Sequence, residues 1–350
     1  MRFILHLNFN SKPIYFIFNF VYLSTRNKFS RQKMKSHFYA IFVGLILFTS
    51  CVSENKMKIT IESRKLLEQI PSASGIEFMD NKFWIVGDNS PWLFELNQDF
   101  YIQNKYAIYS MKELENDILP KNKKHDFEAL TSIMWENDSA LFIFGSGSKL
   151  EQRNYGRLIQ FGLEPSVTEF DLGDFYALIK DEAKLDKDEF NLEAAAVIED
   201  KLYLFNRGKN KIISMKTDNF ISFIQNEKEK LKIKVTNVDL PSIDGVQAGF
   251  SGATADVVNG NIIFSASVEN TSDWVNDGAV LGSFIGVIEL DKLQQHYVPQ
   301  FSLLSKNGEA ELLKVESIAV LSSVNKTLKC VIVTDSDGGN SELLNITIEY

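Results

Sequence analysis

One pattern of apolar and polar positions occurs five times along the chain. In each copy a Ser or Glu precedes a small residue, about six residues of semi-apolar strand, a polar turn and a second, strongly apolar strand. A third strand follows. Val, Ile, Phe, Tyr and Trp dominate, and the apolar runs have the lengths of strands rather than helices. The copies begin at Ser74, Glu128, Glu193, Ser251 and Glu316.

The spacing of the copies predicts a propeller. The small residues are 54, 65, 58 and 65 positions apart, somewhat more than the about 40–50 residues of a four-stranded blade. Insertions supply the excess: 174–190 and 218–232 read as helices or loops, and 270–281 reads as a loop. We attribute the small residues to crowding where blades converge on the axis. They are Gly75, Ala129, Ala194, Gly252 and Ser317.

Outer strands and the chain ends fix the number of blades. Residues 101–110, 167–173, 232–241 and 295–305 read as fourth strands, whereas the fifth copy reaches Tyr350 without one. An extra strand at 56–63 precedes the first copy and can complete the last blade, which is a familiar way of closing a propeller. We therefore predict an all-β fold, a single β-propeller of five four-stranded blades with small helical insertions. Six blades remain the alternative, with the sixth around 99–125 or 285–312.

The N-terminal region reads as a presequence. A short basic start at Lys35 and His37, an apolar run from 38 to 48 and small residues lead into Cys51, which is typical of a secretory signal. A membrane-spanning helix needs about 20 apolar residues, so this run is short for an anchor. The ending before Cys51 resembles the lipobox of bacterial lipoproteins. We predict a presequence over 1–50 whose true start is Met34, a lipidated tether over 51–57 and a propeller over 58–350.

Charge excludes some partners. The chain has 37 basic and 46 acidic residues, and residues 1–50 hold seven of the basic ones and none of the acidic ones. Residues 51–350 therefore have 30 basic and 46 acidic side chains, a net charge of −16. This argues against nucleic-acid binding, which needs basic patches, and against docking to anionic lipid by charge. We expect a monomer held to a membrane by lipid on Cys51, with Cys330 as a buried structural thiol.

One copy carries a family resemblance. "EAAAVIEDKLYLFNRGKNKIISM", from Glu193, resembles the blades of NHL-like and strictosidine-synthase-like propellers. "HDFEAL" and "NLEAAAV" are similar to segments of exported phytase-like and esterase-like propellers and of uncharacterised lipoproteins. The resemblance implies an exported protein of the bacterial cell envelope, periplasmic or surface-exposed. It does not imply one activity, because propellers carry many unrelated functions.

Antiparallel pairing predicts where the repeated polar residues meet. The start of the first strand lies beside the end of the second strand, so residues at both places share one mouth of the channel. Those at the start are Ser74, Glu128, Glu193, Ser251 and Glu316, with Glu77 and Asp256 further in. Those at the end are Asp88, Asn89, Ser146, Asn206, Arg207, Ser267, Glu269, Asp335 and Asp337. We expect an acidic mouth in which Arg207 is the cationic neighbour of Glu193.

The aligned glutamates Glu128, Glu193 and Glu316 allow three interpretations. They lock neighbouring blades through backbone N–H groups, they bind a metal or cationic ligand, or they perform acid–base catalysis. For the metal interpretation the candidate ligands are these three with Asp256 and Asp335, and Ca²⁺ is the expected ion because it prefers oxygen ligands. The candidate ligand-binding residues are Asp88, Asn89, Asn206, Arg207, Trp92 and Trp274. Trp84 and Trp135 are expected in the core.

The sequence supports three classes of function. The first is a lipid-anchored propeller that binds a small ligand or divalent cation at the acidic mouth. The second is a hydrolase, either a metal-assisted phosphoesterase or esterase, or a glycosidase in which two of the glutamates lie about 5–10 Å apart. The third is a protein-interaction platform built from the insertions near 175–190, 217–231 and 269–282. No nucleophile motif or P-loop is present.

Overall fold

A computed structural model describes residues 2–9, 12–19 and 57–350, except 89, 111, 113, 115–118, 164, 228–229, 272–277 and 336–339. Two compact units divide the chain, Met1–Glu54 and Asn55–Tyr350. In the first unit β1 (Arg2–Phe9) pairs antiparallel with β2 (Lys12–Asn19). The predicted start at Met34, the signal segment and Cys51 lie outside the described residues. Among the helices in the described ranges, none is long and apolar enough to cross a membrane.

The second unit is a five-bladed β-propeller, as the repeat predicts. Its blades, in chain order and from the axis outwards, are β4–β7, β8–β11, β12–β15, β18–β20 with β22, and β25–β27 with β3. The innermost strands contact one another in chain order, and β25 contacts β4 to complete the ring. No sixth blade occurs in the described residues, so that alternative is wrong.

The strand bounds are as follows. Blade one has β4 (Ala73–Met79), β5 (Lys82–Gly87), β6 (Trp92–Leu96) and β7 (Ile102–Ala107). Blade two has β8 (Phe127–Trp135), β9 (Asp138–Gly145), β10 (Tyr155–Gln160) and β11 (Ser166–Asp171). Blade three has β12 (Leu192–Ile198), β13 (Lys201–Asn206), β14 (Lys211–Lys216) and β15 (Lys234–Val238). Blade four has β18 (Gly249–Asp256), β19 (Asn261–Asn270), β20 (Ala279–Glu289) and β22 (Gln300–Leu303). Blade five has β25 (Lys314–Val324), β26 (Thr327–Asp335), β27 (Asn340–Glu349) and β3 (Lys58–Pro71).

The first strand of the second unit, β3, closes the ring. β3 pairs antiparallel with β27 from Lys58 opposite Glu349 to Pro71 opposite Asn340. It is longer than the strand predicted over 56–63, because its second half continues along β27 before the chain turns into β4. Closure of this kind pairs the edge that the last blade would otherwise leave open. The prediction that the extra strand before the first copy completes the last blade is confirmed.

One predicted outer strand is divided between two blades. Residues 295–305 read as the fourth strand of blade four, but only β22 takes that place. The preceding β21 (His296–Tyr297) pairs parallel with β15 and adds a fifth strand to blade three. Two-residue hairpins, β16 (Ser242–Ile243) with β17 (Val246–Gln247) and β23 (Ser305–Lys306) with β24 (Glu309–Ala310), lie in the connections.

Helices in two insertions cover the junction of blades two and three. α1 (Gly173–Ala183) buries Phe175, Tyr176, Ile179 and Ala183, whose spacing places them on one face. α2 (Thr217–Ile224) buries Phe220 in the same hydrophobic cluster. Both helices lie almost entirely within insertions that read as helices or loops, each beginning one residue earlier. Short 3₁₀ turns occur at Lys121–Lys123, Glu151–Arg153 and Leu290–Lys292.

Candidate functional site

The repeated Ser or Glu position is a β-bulge in every blade. In each innermost strand the register shifts by one residue at this position, so that the residue has no partner on the second strand. A bulge bends the strand and re-aims the side chain of the extra residue. The five bulge residues are Ser74, Glu128, Glu193, Ser251 and Glu316. The sequence repeat therefore records a repeated backbone irregularity.

The small residues that follow the bulges face crowded surroundings, as expected. A Cβ atom on Gly252 would lie 2.5 Å from Cα of Ser317, the equivalent residue of the next blade. A Cβ atom on Gly75 would lie 2.9 Å from Cγ2 of Val86 and 3.0 Å from Cβ of Leu130. Neighbouring innermost strands approach so closely here that little space remains for side chains.

Two cations hold three carboxylates at the centre of the mouth. Arg207 Nη1 lies 3.7 Å from Glu193 Oε2, and its Nη2 donates to Glu269 Oε1. Lys314 Nζ lies 3.6 Å from Glu269 Oε2 and 3.1 Å from Glu316 Oε1. All of these side chains except that of Lys314 belong to residues that are more than nine-tenths buried. The network joins blades three, four and five, and it confirms the predicted neighbourhood of Glu193 and Arg207.

Neighbouring backbone fixes the position of Arg207. A Cβ atom on Gly249 would lie 2.6 Å from Arg207 Cγ, so a glycine leaves the room that the arginine occupies. Asn206, a candidate ligand-binding residue, is used structurally. Its Oδ1 accepts the N–H of Asn191 at 2.8 Å, and its Nδ2 donates to the carbonyl of Glu189 at 3.0 Å. Asn206 therefore shapes the loop that leads into β12.

Burial shifts the titration of the central carboxyls towards neutral pH. It raises the pKa of Glu193 to about 7, although Arg207 and Lys314 act in the opposite direction. It raises the pKa of Glu316 to about 8, against the attraction of Lys314. Burial disfavours the charged guanidinium of Arg207, but Glu193 and Glu269 outweigh this and raise its pKa. The centre can therefore exchange protons near pH 7–8.

A second cluster of carboxylates lies where blades one and two meet. Asp88, Asp126 and Glu128 each place one carboxylate oxygen within 4.8 Å of the others. Lys124 Nζ lies 3.0 Å from Asp88 Oδ2, and Arg153 Nη1 lies 2.9 Å from Asp126 Oδ2. No described residue donates a hydrogen bond to the carboxylate of Glu128. We call Asp88, Asp126 and Glu128 the acidic triad.

Two members of the acidic triad, Glu128 and Asp88, resist ionisation. Burial, followed by repulsion from Asp126, Glu193 and Asp88, raises the pKa of Glu128 well above its usual range. Burial also raises the pKa of Asp88, and Lys124 opposes that shift. Like charges at close range disfavour ionisation unless a cation or hydrogen-bond donor is present. A cation at the triad would remove this penalty.

Buried polar atoms without hydrogen-bond partners concentrate at the mouth. Among the described residues they include Asp88 Oδ1, Arg207 Nε and Ser267 Oγ. Ser267 pairs in register with Gly249, so its side chain is on the face of blade four that Arg207 covers. A buried polar atom without a partner costs about 1–3 kcal/mol, and such atoms need an explanation such as a bound ligand, ion or water. Because these atoms surround one opening, they favour a binding site at the mouth.

The structure separates Asp256 from the glutamates. Asp256 is at the end of β18 opposite to Ser251, because it pairs with Asn261 beside the hairpin turn. Its carboxylate accepts hydrogen bonds from Asn259 Nδ2 at 2.7 Å and from the Tyr350 hydroxyl at 3.0 Å. Asp256 therefore fastens the last residue of the chain at the far end of the propeller and is not near the triad.

Hydrogen bonds between a side chain and the backbone of the next blade occur at Ser74 and Glu77. Glu77 Oε2 accepts the backbone N–H of Ser132 in the neighbouring blade at 3.2 Å. Ser74 Oγ donates to the carbonyl of Phe127, also in blade two, at 2.5 Å. Burial raises the pKa of Glu77 to about 7, although it accepts the N–H groups of Ser132 and Phe78. The expected contact with a backbone N–H group is thus made by Glu77, whereas Glu193 and Glu316 belong to the ion-pair network at the centre of the mouth, which joins blades three, four and five.

The remaining candidates fall into three places. Trp92, at the start of β6, lies beside the core, and Lys105 Nζ is 4.4 Å from its ring. Asp335 ends β26 opposite Lys314 and lines a surface cavity rather than the triad. Trp84 and Trp135 are buried, as expected. Asn89, Trp274 and Asp337 lie outside the described residues.

Sequence reasoning missed several charged residues of the site. Asp126 and Lys314 each precede a bulge glutamate by two positions, as Asn191 does in blade three. Asn191 Nδ2 donates to Glu193 Oε1 at 2.6 Å. This constant offset from the bulge glutamate was the available signal. Lys124 and Arg153 carried no such signal, because they lie in loops whose course depends on the folded blade.

Comparison with known sequences assigns a family. A family of unknown function, DUF6929, matches residues 69–348. The chain belongs to the DUF6929 family. The match covers the propeller from the end of β3 to the end of β27. No curated protein matches this DUF6929 chain.

Several solved structures resemble this DUF6929 propeller in outline. The glutaminyl cyclase of Myxococcus xanthus has 10% identity, with 84% of this chain and 97% of that chain covered and a TM-score of 0.47. The calcium-binding protein regucalcin from Agrobacterium tumefaciens has 13% identity, with 83% and 95% covered and a TM-score of 0.39. The virginiamycin B lyase of Staphylococcus aureus has 11% identity, with 83% and 99% covered and a TM-score of 0.36.

Proposed function

We propose that this chain is a lipid-anchored β-propeller of the bacterial cell envelope that binds a divalent cation or a small cationic ligand at its acidic mouth. The observation that carries the proposal is the acidic triad. Its three carboxylates come from two blades, approach within 4.8 Å and include the buried, unpartnered oxygen of Asp88. The bulge at Glu128 positions one of them.

The oxygen donors of the triad suit Ca²⁺ in kind. Ca²⁺ takes about 6–8 oxygen ligands, and carboxylates are the commonest among them. Lys124 and Arg153 already neutralise part of the triad, so a bound ion competes with Lys124 for Asp88. Glu128 must lose its proton when the ion binds, because a metal ligand carboxylate is ionised. Ca²⁺ affinity is therefore expected to increase with pH.

A calcium titration of the full-length protein tests this proposal. We expect saturable binding by calorimetry and a Tm that increases with Ca²⁺ and falls again with chelator. Glu128→Gln should abolish both effects. Glu136→Gln, in the turn at the opposite end of the same strand pair, is the matched control and should retain them. Absence of binding in the unmodified protein, or equal binding in Glu128→Gln, would reject the triad as the site.

The anchor rests on the sequence around Cys51. The basic start, apolar run and small residues before Cys51 support a lipoprotein signal. We expect the protein to partition with membranes after expression in a bacterial host, and Cys51→Ala to release it. Equal partitioning of both forms would contradict the anchor and leave the cation proposal unaffected.

Hydrolysis is the second candidate. Burial brings the pKa values of Glu193 and Glu316 to about 7 and about 8, which suits groups that transfer protons near neutral pH. A panel of phosphoesters, aryl esters and aryl glycosides tests it. Activity that falls at least about 100-fold in Glu193→Gln would support a chemical role for Glu193. Activity equal in both forms would exclude that role.

A further inference from the structure

A second opening lies beside the mouth, in the sector of blades four and five. It is a surface cavity of about 340 Å³ at the end of β26 and the start of β27. Its volume is at the lower end of the range for small-molecule pockets. The lining residues are Leu66, Val280, Leu312, Leu313, Lys314, Thr334, Asp335, Asn340 and Glu342.

The lining is divided by chemistry. Four aliphatic side chains supply one part of the wall, and hydroxyl, amide and carboxylate groups supply the other. Leu66 is 48% exposed and Leu312 is 67% exposed, so both present apolar surface to solvent at the cavity. Exposed leucines gain free energy when an apolar ligand covers them. A bare metal ion would gain nothing from this wall.

The polar part favours a cationic hydrogen-bond donor. Among the lining residues, Asp335 and Glu342 contribute two carboxylates and Lys314 one ammonium, and the guanidinium of Arg64 approaches Glu342 from outside the lining. Lys314 Nζ is already 3.1 Å from Glu316 and 3.6 Å from Glu269 in the mouth. Glu342 Oε2 is buried and accepts no hydrogen bond, and it lies 3.7 Å from Arg64 Nη1. A buried acceptor without a donor is stabilised by a ligand that brings one.

We propose that this cavity binds a small primary or secondary amine that carries an aliphatic part. The ammonium group donates hydrogen bonds to Asp335 and Glu342, and the aliphatic part packs on Leu312 and the other apolar side chains. The proposal goes beyond the cation site of the triad and does not depend on it, because the triad contributes no residue to the cavity lining.

Three six-carbon molecules that differ in their head group test the proposal on the full-length protein. Hexylammonium, hexanol and hexanoate are titrated separately by calorimetry. We expect hexylammonium to bind at one site per chain and the other two at least about tenfold more weakly, because a charged hydrogen bond is lost. Shortening the tail to butylammonium should weaken binding about threefold to fourfold per methylene. Equal affinity for the three six-carbon probes, or no saturable binding of hexylammonium, would overturn the proposal.

Variants locate the binding. Glu342→Gln and Leu312→Ser should each weaken hexylammonium binding about tenfold. Leu312 is exposed, so Leu312→Ser should fold normally. It therefore tests the proposal even if Glu342→Gln fails to fold. Glu349→Gln, at the other end of β27, is the matched control and should bind as the unmodified protein does. Glu128→Gln should abolish Ca²⁺ binding and retain amine binding, which separates the two sites. Undiminished amine binding in Leu312→Ser would place the amine elsewhere.

Discussion

Arg207→Met probes the electrostatics of the mouth, because it removes a guanidinium and keeps an unbranched side chain. Arg207 Nη1 is 3.7 Å from Glu193 Oε2. At an effective dielectric constant of about 20, two charges at this distance attract by about 4–5 kcal/mol. Breaking a buried ion pair by removing one partner costs about 3–5 kcal/mol. We therefore expect the free energy of unfolding to fall by about 3–5 kcal/mol at pH 8.5.

The loss depends on pH in a defined direction. Burial raises the folded-state pKa of Glu193 from its ordinary value of 4.5 to about 7 in the presence of Arg207, and removal of Arg207 raises it further. At pH 5 Glu193 is protonated in the folded state of both proteins, so its attraction to Arg207 contributes little. Above pH 7 the unmodified protein ionises Glu193 and the variant does not. At 1.36 kcal/mol per pH unit, the loss is about 2 kcal/mol larger at pH 8.5 than at pH 5.

Urea denaturation followed by tryptophan fluorescence at both pH values measures this loss. Arg64→Met is the control, because Arg64 is partly exposed and its 2.8 Å ion pair with Glu311 lies at the surface. Its expected cost is about 0–1 kcal/mol. Adding Glu193→Gln to Arg207→Met should restore part of the stability at pH 8.5. A loss that is the same at both pH values, or no larger than that of Arg64→Met, would refute the reasoning.

Three further substitutions follow from the same geometry. Gly249→Ala places a Cβ atom 2.6 Å from Arg207 Cγ, so we expect it to displace Arg207 and reproduce the pH-dependent loss in the same denaturation assay. Folded Glu77 has a pKa of about 7 against an ordinary value of 4.5. The free energy of unfolding of the unmodified protein therefore falls as pH increases between these two values. Glu77→Gln should make this fall smaller when urea denaturation is repeated over a series of pH values. Gly252→Ala brings a Cβ atom to 2.5 Å from Ser317 Cα and should lower the free energy of unfolding by about 1–3 kcal/mol; an unchanged urea midpoint would contradict the crowding.

The strands of the propeller could be predicted because the pattern repeats. Glu193 and the three alanines after it have high helix propensity, yet they form the start of β12. Their alignment with four related segments indicates a strand, and the crowded axis selects small residues over propensity. The division of 295–305 could not be predicted. Its first part pairs with β15, and such a parallel contact between distant segments leaves no local signal.

The site could be predicted in position and only partly in composition. The alignment of the five copies identified Glu128, Glu193 and Glu316, because residues at the same position of the repeat lie at the same level around the propeller axis. It could not separate Asp256 from them, since a distance along the strand decides which end of the channel a residue reaches. The triad also includes Asp126. Its closeness to Glu128 and Asp88 could not be predicted without the bulge at Glu128.

Closure by β3 has a consequence for orientation. Lys58 pairs with Glu349 at the end of blade five that is remote from the mouth, and Pro71 pairs with Asn340 at the mouth end. The chain therefore enters the propeller on the face opposite the triad and the cavity. Any attachment through the residues before Lys58, such as the anchor that we propose at Cys51, would therefore join the propeller at the face that carries neither opening.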